Sequence, residues 1–327
     1  MKMLLAICAF SLACSPEIDT ARGGAVSSDL VTTNGENLNG ENLNGENLNG
    51  PFANGPGMLV DVEYALFAGA SIRGRKLDSV WLEGSMFHGF ADDSELSGFD
   101  FDNARFQAVL MDGTPVTLRI VDVNRESFSN NDVWDYLVQF RDSGGNWHPL
   151  CEDADDDPVY AIALGGRWNY GRGVPGGGAH IDDPGAFTFA CKGLGAIAKC
   201  AFPIGYKPWD TVNGVSLAPY HQACVRALRA DYCGDGTPWT QNGRRIDLYD
   251  ALGIQDPSRP FWLFEAEWDQ DGASCVSKER VIALRNVIGT VSPCILSKVS
   301  LSCGRSSDFQ QGTLLMNRFQ FFGISLF

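Results

Sequence analysis

The chain has 327 residues, 37 of them glycine, and a formal net charge of −15. That length suits two domains, or one large domain with an appendage. The acidity argues against nucleic acid as a partner, because phosphate binding needs a basic surface.

Residues 1–13 read as an export signal. Lys2 supplies a minimal charged region, Met3 to Ala13 an apolar stretch, and Ser11-Leu12-Ala13 a small-x-small cleavage site. Those eleven apolar residues are too few to span a bilayer, which takes about twenty. Cys14 follows directly, so the segment resembles a bacterial lipoprotein signal, although Ser11 stands where an aliphatic residue is usual. Cysteine parity supports lipidation of Cys14. Of ten cysteines, Cys8 leaves with the signal and Cys14 carries the lipid, so eight remain to pair. The expected location is therefore outside the cytoplasm, on an outer membrane or cell surface through a lipid anchor, with simple secretion as the alternative.

Residues 14–57 read as a polar tether. Within it Glu36-Asn37-Leu38-Asn39-Gly40 recurs unchanged at 41–45 and 46–50. A five-residue step returns at Ile72, Leu77, Leu82 and Phe87, then at Leu96, Phe101, Phe106 and Met111. A period of five suits neither a helix nor a flat strand. The step resembles the pentapeptide-repeat family, which implies a square β-helical coil with the central residues inward. Residues 58–113 are accordingly expected to form a short repeat-like β segment, with ordinary strands joined by Gly turns as the competing arrangement.

From residue 114 to 327 the pattern predicts a strand-rich α+β domain. Phe106–Met111 and Val116–Val123 flank Asp112-Gly113 as a hairpin, and Tyr136–Arg141 and Trp147–Leu150 flank Ser143-Gly144-Gly145. A short helix is expected at Leu194–Ala201. A longer one is expected at Ala218–Asp231, where Tyr220, Ala223, Cys224, Ala227 and Leu228 share a face and Pro219 suits the first turn. Asp247–Leu252 reads as one more helical turn and Phe261–Trp268 as a strand. Phe319–Phe327 is either a last buried strand or an apolar tail.

Cys151, Cys191, Cys200, Cys224, Cys233, Cys275, Cys294 and Cys303 are the eight cysteines of this domain, and they predict a disulfide framework. Three pairs (191/200, 224/233 and 294/303) each enclose eight residues, an invitation to pair them. Helix geometry forbids one such pairing. Nine helical residues span about 13.5 Å, whereas bridged Cα atoms lie within about 7 Å, so Cys224 and Cys233 must reach different partners. No CxxC or HxxxH spacing favours zinc.

The most distinctive string is His221-Gln-Ala-Cys-Val-Arg-Ala-Leu-Arg-Ala-Asp-Tyr-Cys233-Gly-Asp-Gly-Thr237. With Gly173–Pro184, Phe187–Cys191, Ala198–Cys200, Gly205–Trp209 and Phe264–Trp268, it resembles the ADYC-domain family of bacterial exported proteins. The family's name stands here as Ala230-Asp231-Tyr232-Cys233, and the resemblance covers about 150–305. It implies an extracytoplasmic domain and supplies no catalytic residues.

Two function classes follow. The first is a surface-tethered binding or structural module. The ligand is unknown; a glycan stacking on some of Trp134, Trp147, Trp168, Trp209, Trp239, Trp262 and Trp268 is one candidate, although tryptophans more often fill cores. The second is an extracytoplasmic hydrolase using His180 with Asp182 or Asp183, joined by His221. A hydrolase should gather these four around one concave site; a binding module should scatter or bury them. The structural reading of the same residues is a tight Gly176-Gly177-Gly178 loop in which His180 satisfies carbonyls. No cofactor is implied. Alternate carboxylates at Asp153, Asp155 and Asp157 resemble the start of a calcium loop, but lack its central glycine and distal glutamate.

Overall fold

The structure is a computed structural model that describes residues 32–33, 62–127, 130–153, 155–240, 244–280 and 292–320. The export signal, Cys14, the polar tether with its ENLNG repeats, apart from Thr32–Thr33, and residues 321–327 lie outside the described residues.

Six antiparallel strands close into a barrel. Around it run Trp134–Arg141, Ala161–Gly165, Ala186–Cys191, Val62–Ile72, Ala104–Leu110 and Pro115–Arg125, and the last pairs back with the first. Alternation sends Phe106, Leu118, Ile120, Tyr136, Val138, Phe187 and Phe189 into one apolar cluster. Both predicted hairpins are present, around Asp112-Gly113 and around Ser143–Gly145. The expected boundary at 113/114 therefore cuts through a closed sheet.

Residues 79–101 form no square coil. They make a three-stranded antiparallel meander, Ser79–Glu83, Met86–Ala91 and Ser94–Ser97, followed by a 3-10 turn at Gly98–Phe101. Turn chemistry explains the difference. Asp92 and Asp93 both have positive φ (46° and 64°), as the two central residues of a type I′ hairpin turn require, and Arg73-Gly74 repeats the arrangement. The five-residue step still marks inward positions at Ile72, Leu77, Phe87, Phe101 and Phe106, but leaves Met111 exposed. Phe87 plugs the barrel, its ring centroid 5.0 Å from those of Phe106, Tyr136 and Phe187. The Tyr136 hydroxyl holds the plug by donating to Ser85 O (2.9 Å) and accepting from Phe87 N (3.2 Å).

One wall of the barrel is buried on both faces. Ala161, Ala163, Phe187 and Phe189 face inward, while Ile162, Leu164 and Ala190 face a second core. That core surrounds the helix Ala218–Arg229 and one side of a sheet formed by Arg245–Asp250, Leu315–Phe319, Leu263–Asp269 and Gly272–Val276, with Thr32–Thr33 at the edge. Asp247–Leu252 is thus not a helical turn: Arg245–Asp250 is a strand, with Ile246 and Leu248 turned into the second core and Leu315–Phe319 alongside.

The central helix ends two residues before the predicted stop, at Arg229, because Ala230 turns left-handed (φ 52°). Every residue from Tyr220 to Arg229 is buried, so the polar ones need partners inside. Arg226 Nη1 donates to Asp231 Oδ2 and to Gly177 O, and the same carboxylate accepts from Gly236 N (3.0 Å) and Asp235 N (3.2 Å). Arg229 Nη2 donates to Gly236 O at 2.8 Å. This explains the glycine triplet. A Cβ at Gly177 would collide with the carbonyls of Gly171 and Asp235, and one at Gly178 (φ 73°) would lie 2.6 Å from Arg226 Nη1. On the other side Tyr232 donates to Glu265 (2.9 Å), which Arg280 holds with two nitrogens while Arg280 Nη2 caps the helix at Ala227 O (2.6 Å).

Four disulfides staple this framework: Cys151–Cys191, Cys200–Cys224, Cys233–Cys294 and Cys275–Cys303. None of the three equally spaced pairs forms. Cys224, inside the helix, reaches Cys200, and Cys233, four residues past the end of the helix, reaches Cys294.

Replacing Asp231 by Ala leaves Arg226 buried without its counter-charge. The expected loss is about 3–5 kcal/mol, read from the denaturant midpoint with disulfides intact, and Asp231→Asn, which keeps an acceptor, should lose less.

Candidate functional site

A cleft of about 380 Å³ opens where the meander, the Arg167–Trp168/His180–Ile181 ribbon, the loop around Trp209 and the first turn of the central helix meet. Its walls are Phe67, Trp81, Leu82, Trp168, Pro184, Pro208 and Trp209, and its polar members are His180, Asp182, Asp183, His221 and Gln222. The four residues proposed for hydrolysis therefore border one concavity. Their bonding is another matter.

His221 lies in the floor, 2% exposed, where its Nε2 donates to Ile197 O (2.9 Å). Burial pushes its pKa down to about 4 against the opposing pull of that carbonyl, with His180 adding a smaller push in the same direction. The ring is neutral at physiological pH. Gln222 is fully engaged: Oε1 accepts from Trp168 Nε1 (3.2 Å) and His180 N (3.2 Å), and Nε2 donates to Gly178 O (2.9 Å).

His180 sits exposed at the rim, opposite Trp168 in the ribbon and edge-on to its indole at 4.6 Å. Its Nε2 meets Gly165 O at 2.9 Å. A carbonyl only accepts, so the neutral ring carries its proton on Nε2 and leaves the Nδ1 lone pair open. Asp183 receives Arg167 Nε (3.2 Å) and Gly185 N (3.0 Å). Asp182 is exposed, and among the described residues no hydrogen bond joins either aspartate to His180 or His221. Among the described residues no Ser, Thr, Cys or Lys borders the cleft.

The rims are firmly placed. Trp209 Nε1 donates to Asp132 Oδ2 (3.1 Å), and its indole lies where a Cβ on Gly84 (φ 63°) would come within 3.2 Å. Burial pushes the Asp132 carboxyl up, but hydrogen bonds from Lys207 and Trp209 outweigh it and hold the pKa below the usual range. Trp81 stacks on His88 (5.5 Å) and lies tilted against Phe90 (5.7 Å) while staying 36% exposed, enough to offer a ring face to a ligand.

A family model, the ADYC domain, matches residues 98–282, which is 185 of 327 residues. The chain belongs to the ADYC-domain family. No curated protein and no solved structure matches it. In this ADYC domain the eponymous tetrad supports the site from behind: Ala230 makes the left-handed turn, Asp231 binds Arg226, Tyr232 binds Glu265 and Cys233 bonds Cys294. The cleft is composite, since Phe67, Trp81 and Gly84 precede the matched segment.

Of the tryptophans named from the sequence, Trp168 and Trp209 line the cleft, Trp168 as a buried wall (1% exposed) and Trp209 half-buried, whereas Trp134 and Trp268 are buried away from it and Trp147 lies under Arg119 on the barrel exterior. Trp81 was missed, because the five-residue step made its neighbour Leu82 the conspicuous position. The signal that would have found it is strand alternation: Val80 and Leu82 pack toward the barrel core, and Trp81 takes the other face. At the acidic loop, Asp153 Oδ1 accepts from the amides of Asp155 and Asp157 at 3.0 Å, an ordinary side-chain-capped turn. Glu267 lies beside Cys275 and Cys303, whose sulfurs are bonded to each other and offer no thiolates.

The depressed His221 pKa has a measurable consequence. The unfolded chain takes up a proton near the ordinary value of 6.5 and the folded one only near 4, so stability is full above about 6.5 and falls as pH drops toward 4. The contribution is about 3 kcal/mol, and His221→Phe should flatten that part of the urea-midpoint profile.

Proposed function

We propose that this ADYC-domain protein is an extracytoplasmic binding module, tethered to a membrane through a lipidated Cys14, whose cleft takes a small ligand. One observation carries the reading. The cleft is walled by aromatic rings, yet its buried polar groups, His221, Gln222 and the indole nitrogens, already bond within the protein. That is the make-up of a recognition site with a few open polar groups at its rim. Four disulfides are consistent with folding outside the cytoplasm, and no described helix is long and apolar enough to cross a membrane.

The gathering of His180, Asp182, Asp183 and His221 at one cleft favours a second reading, a hydrolase. With no nucleophilic side chain at hand, it would rely on His180 Nδ1 drawing a proton from water.

Ligand-observed NMR of the full chain against a fragment set of sugars, amines, acids and neutral aromatics separates the two. Binding is expected to disappear in Trp81→Ala and persist in His180→Ala. Turnover of ester, amide or glycoside substrates that drops at least 100-fold in His180→Ala would establish the hydrolase instead. Intact mass of protein taken from its native membrane should show a diacyl- or triacylglyceryl adduct on Cys14 and eight thiols that alkylate only after reduction.

A further inference from the structure

The lining chemistry of the cleft narrows the ligand. Four aromatic side chains border it, Phe67, Trp81 and Trp209 partly exposed and Trp168 buried behind them, and among the described residues no lysine or arginine does. Aromatic faces are the negative ends of ring quadrupoles and attract cations, with indole the strongest. The charged side chains at the cleft are Asp182 and Asp183; Arg167 matches Asp183, whereas among the described residues no cation pairs with Asp182 at the rim. The remaining acceptor is His180 Nδ1. The floor contributes no positive charge, since burial keeps His221 neutral.

Hydrogen-bond supply points the same way. Trp168 Nε1, Trp209 Nε1 and Gln222 Nε2 donate to Gln222, Asp132 and Gly178 O. A ligand covered in hydroxyls would surrender its water contacts here for few replacements. A cation that carries alkyl groups in place of N–H bonds asks for little hydrogen bonding and much ring surface. We therefore propose that the ADYC cleft binds an organic cation bearing an alkylated ammonium group, seated against the indoles of Trp81 and Trp209 with Asp182 facing its charge. This rests on the cleft being a binding site, and it names the class of ligand. The volume, about 380 Å³, suits a small head group of this kind.

The test is titration of the full chain, followed by tryptophan fluorescence and calorimetry, with three probes. They are choline, its uncharged shape-match 3,3-dimethylbutan-1-ol, and a trimer of N-acetylglucosamine. Choline is expected to bind saturably, and the alcohol about tenfold more weakly or worse. Asp182→Asn should weaken choline by about three- to tenfold without changing the response to the alcohol, and Trp81→Leu should weaken both probes, choline by about tenfold or more. Both residues are exposed enough for the variants to fold, which near-ultraviolet dichroism checks. Equal affinity for choline and the alcohol would overturn the cation class and leave an apolar site. Binding of the saccharide alone, abolished by Trp81→Leu, would overturn the class while the cleft stands as a binding site. Silence from all three would remove both.

Discussion

The buried ion pair between Arg226 and Asp231 is the interaction on which the rest of the domain depends. Both side chains are at most 2% exposed, where an unmatched charge would be untenable. To bring the carboxylate back to a guanidinium five residues earlier, the chain must leave the helix at once, and Ala230 does so in the left-handed region. The same guanidinium holds Gly177 O, so the glycine loop is docked against the helix rather than free. From Gly178 the order passes to Gln222, and from Gln222 to Trp168 and the backbone of His180. A chain of single hydrogen bonds thus connects the tetrad to a cleft it does not touch.

The two cores share one wall, which couples the barrel to the helix-and-sheet layer. Ala161–Leu164 and Ala186–Cys191 are buried on both sides, and small residues on the outer face (Ala186, Ala190) let the layers approach closely. Two disulfides tie short or irregular pieces to this framework. Cys200–Cys224 ties a helix of only six residues to the central helix, and Cys275–Cys303 anchors an irregular segment to the sheet. Such cross-links restrict the unfolded chain and tolerate a surface carrying a large excess of negative charge. The cleft lies at the seam between the meander that plugs the barrel and the first turn of the central helix, so its shape depends on both cores at once.

Much of this was legible in the residues, and for local reasons. The central helix, the two barrel hairpins and the impossibility of a Cys224–Cys233 bridge follow from periodicity, turn residues and helix rise. His180, Asp182, Asp183 and His221 stand out in the sequence, and the structure brings them to one cleft. It does not make them a relay, because His221 bonds to Ile197 and Asp183 to Arg167, neither of which is near it in sequence. The five-residue step misled for a related reason. Inward positions in successive tight hairpins recur at short intervals, and a one-dimensional period cannot distinguish them from the corners of a coil.

By itself the sequence determined the strand-rich class, the eight paired cysteines, the family and the conformations enforced within a few residues, since these follow from side-chain type and spacing along the chain. Only the tertiary structure decided which cysteines bond, that six strands close into a barrel, that Arg245–Asp250 is a strand, and that Trp81 belongs with Trp168 and Trp209. Each of these depends on partners tens to hundreds of residues apart, and their pairing is set by shared burial in two cores.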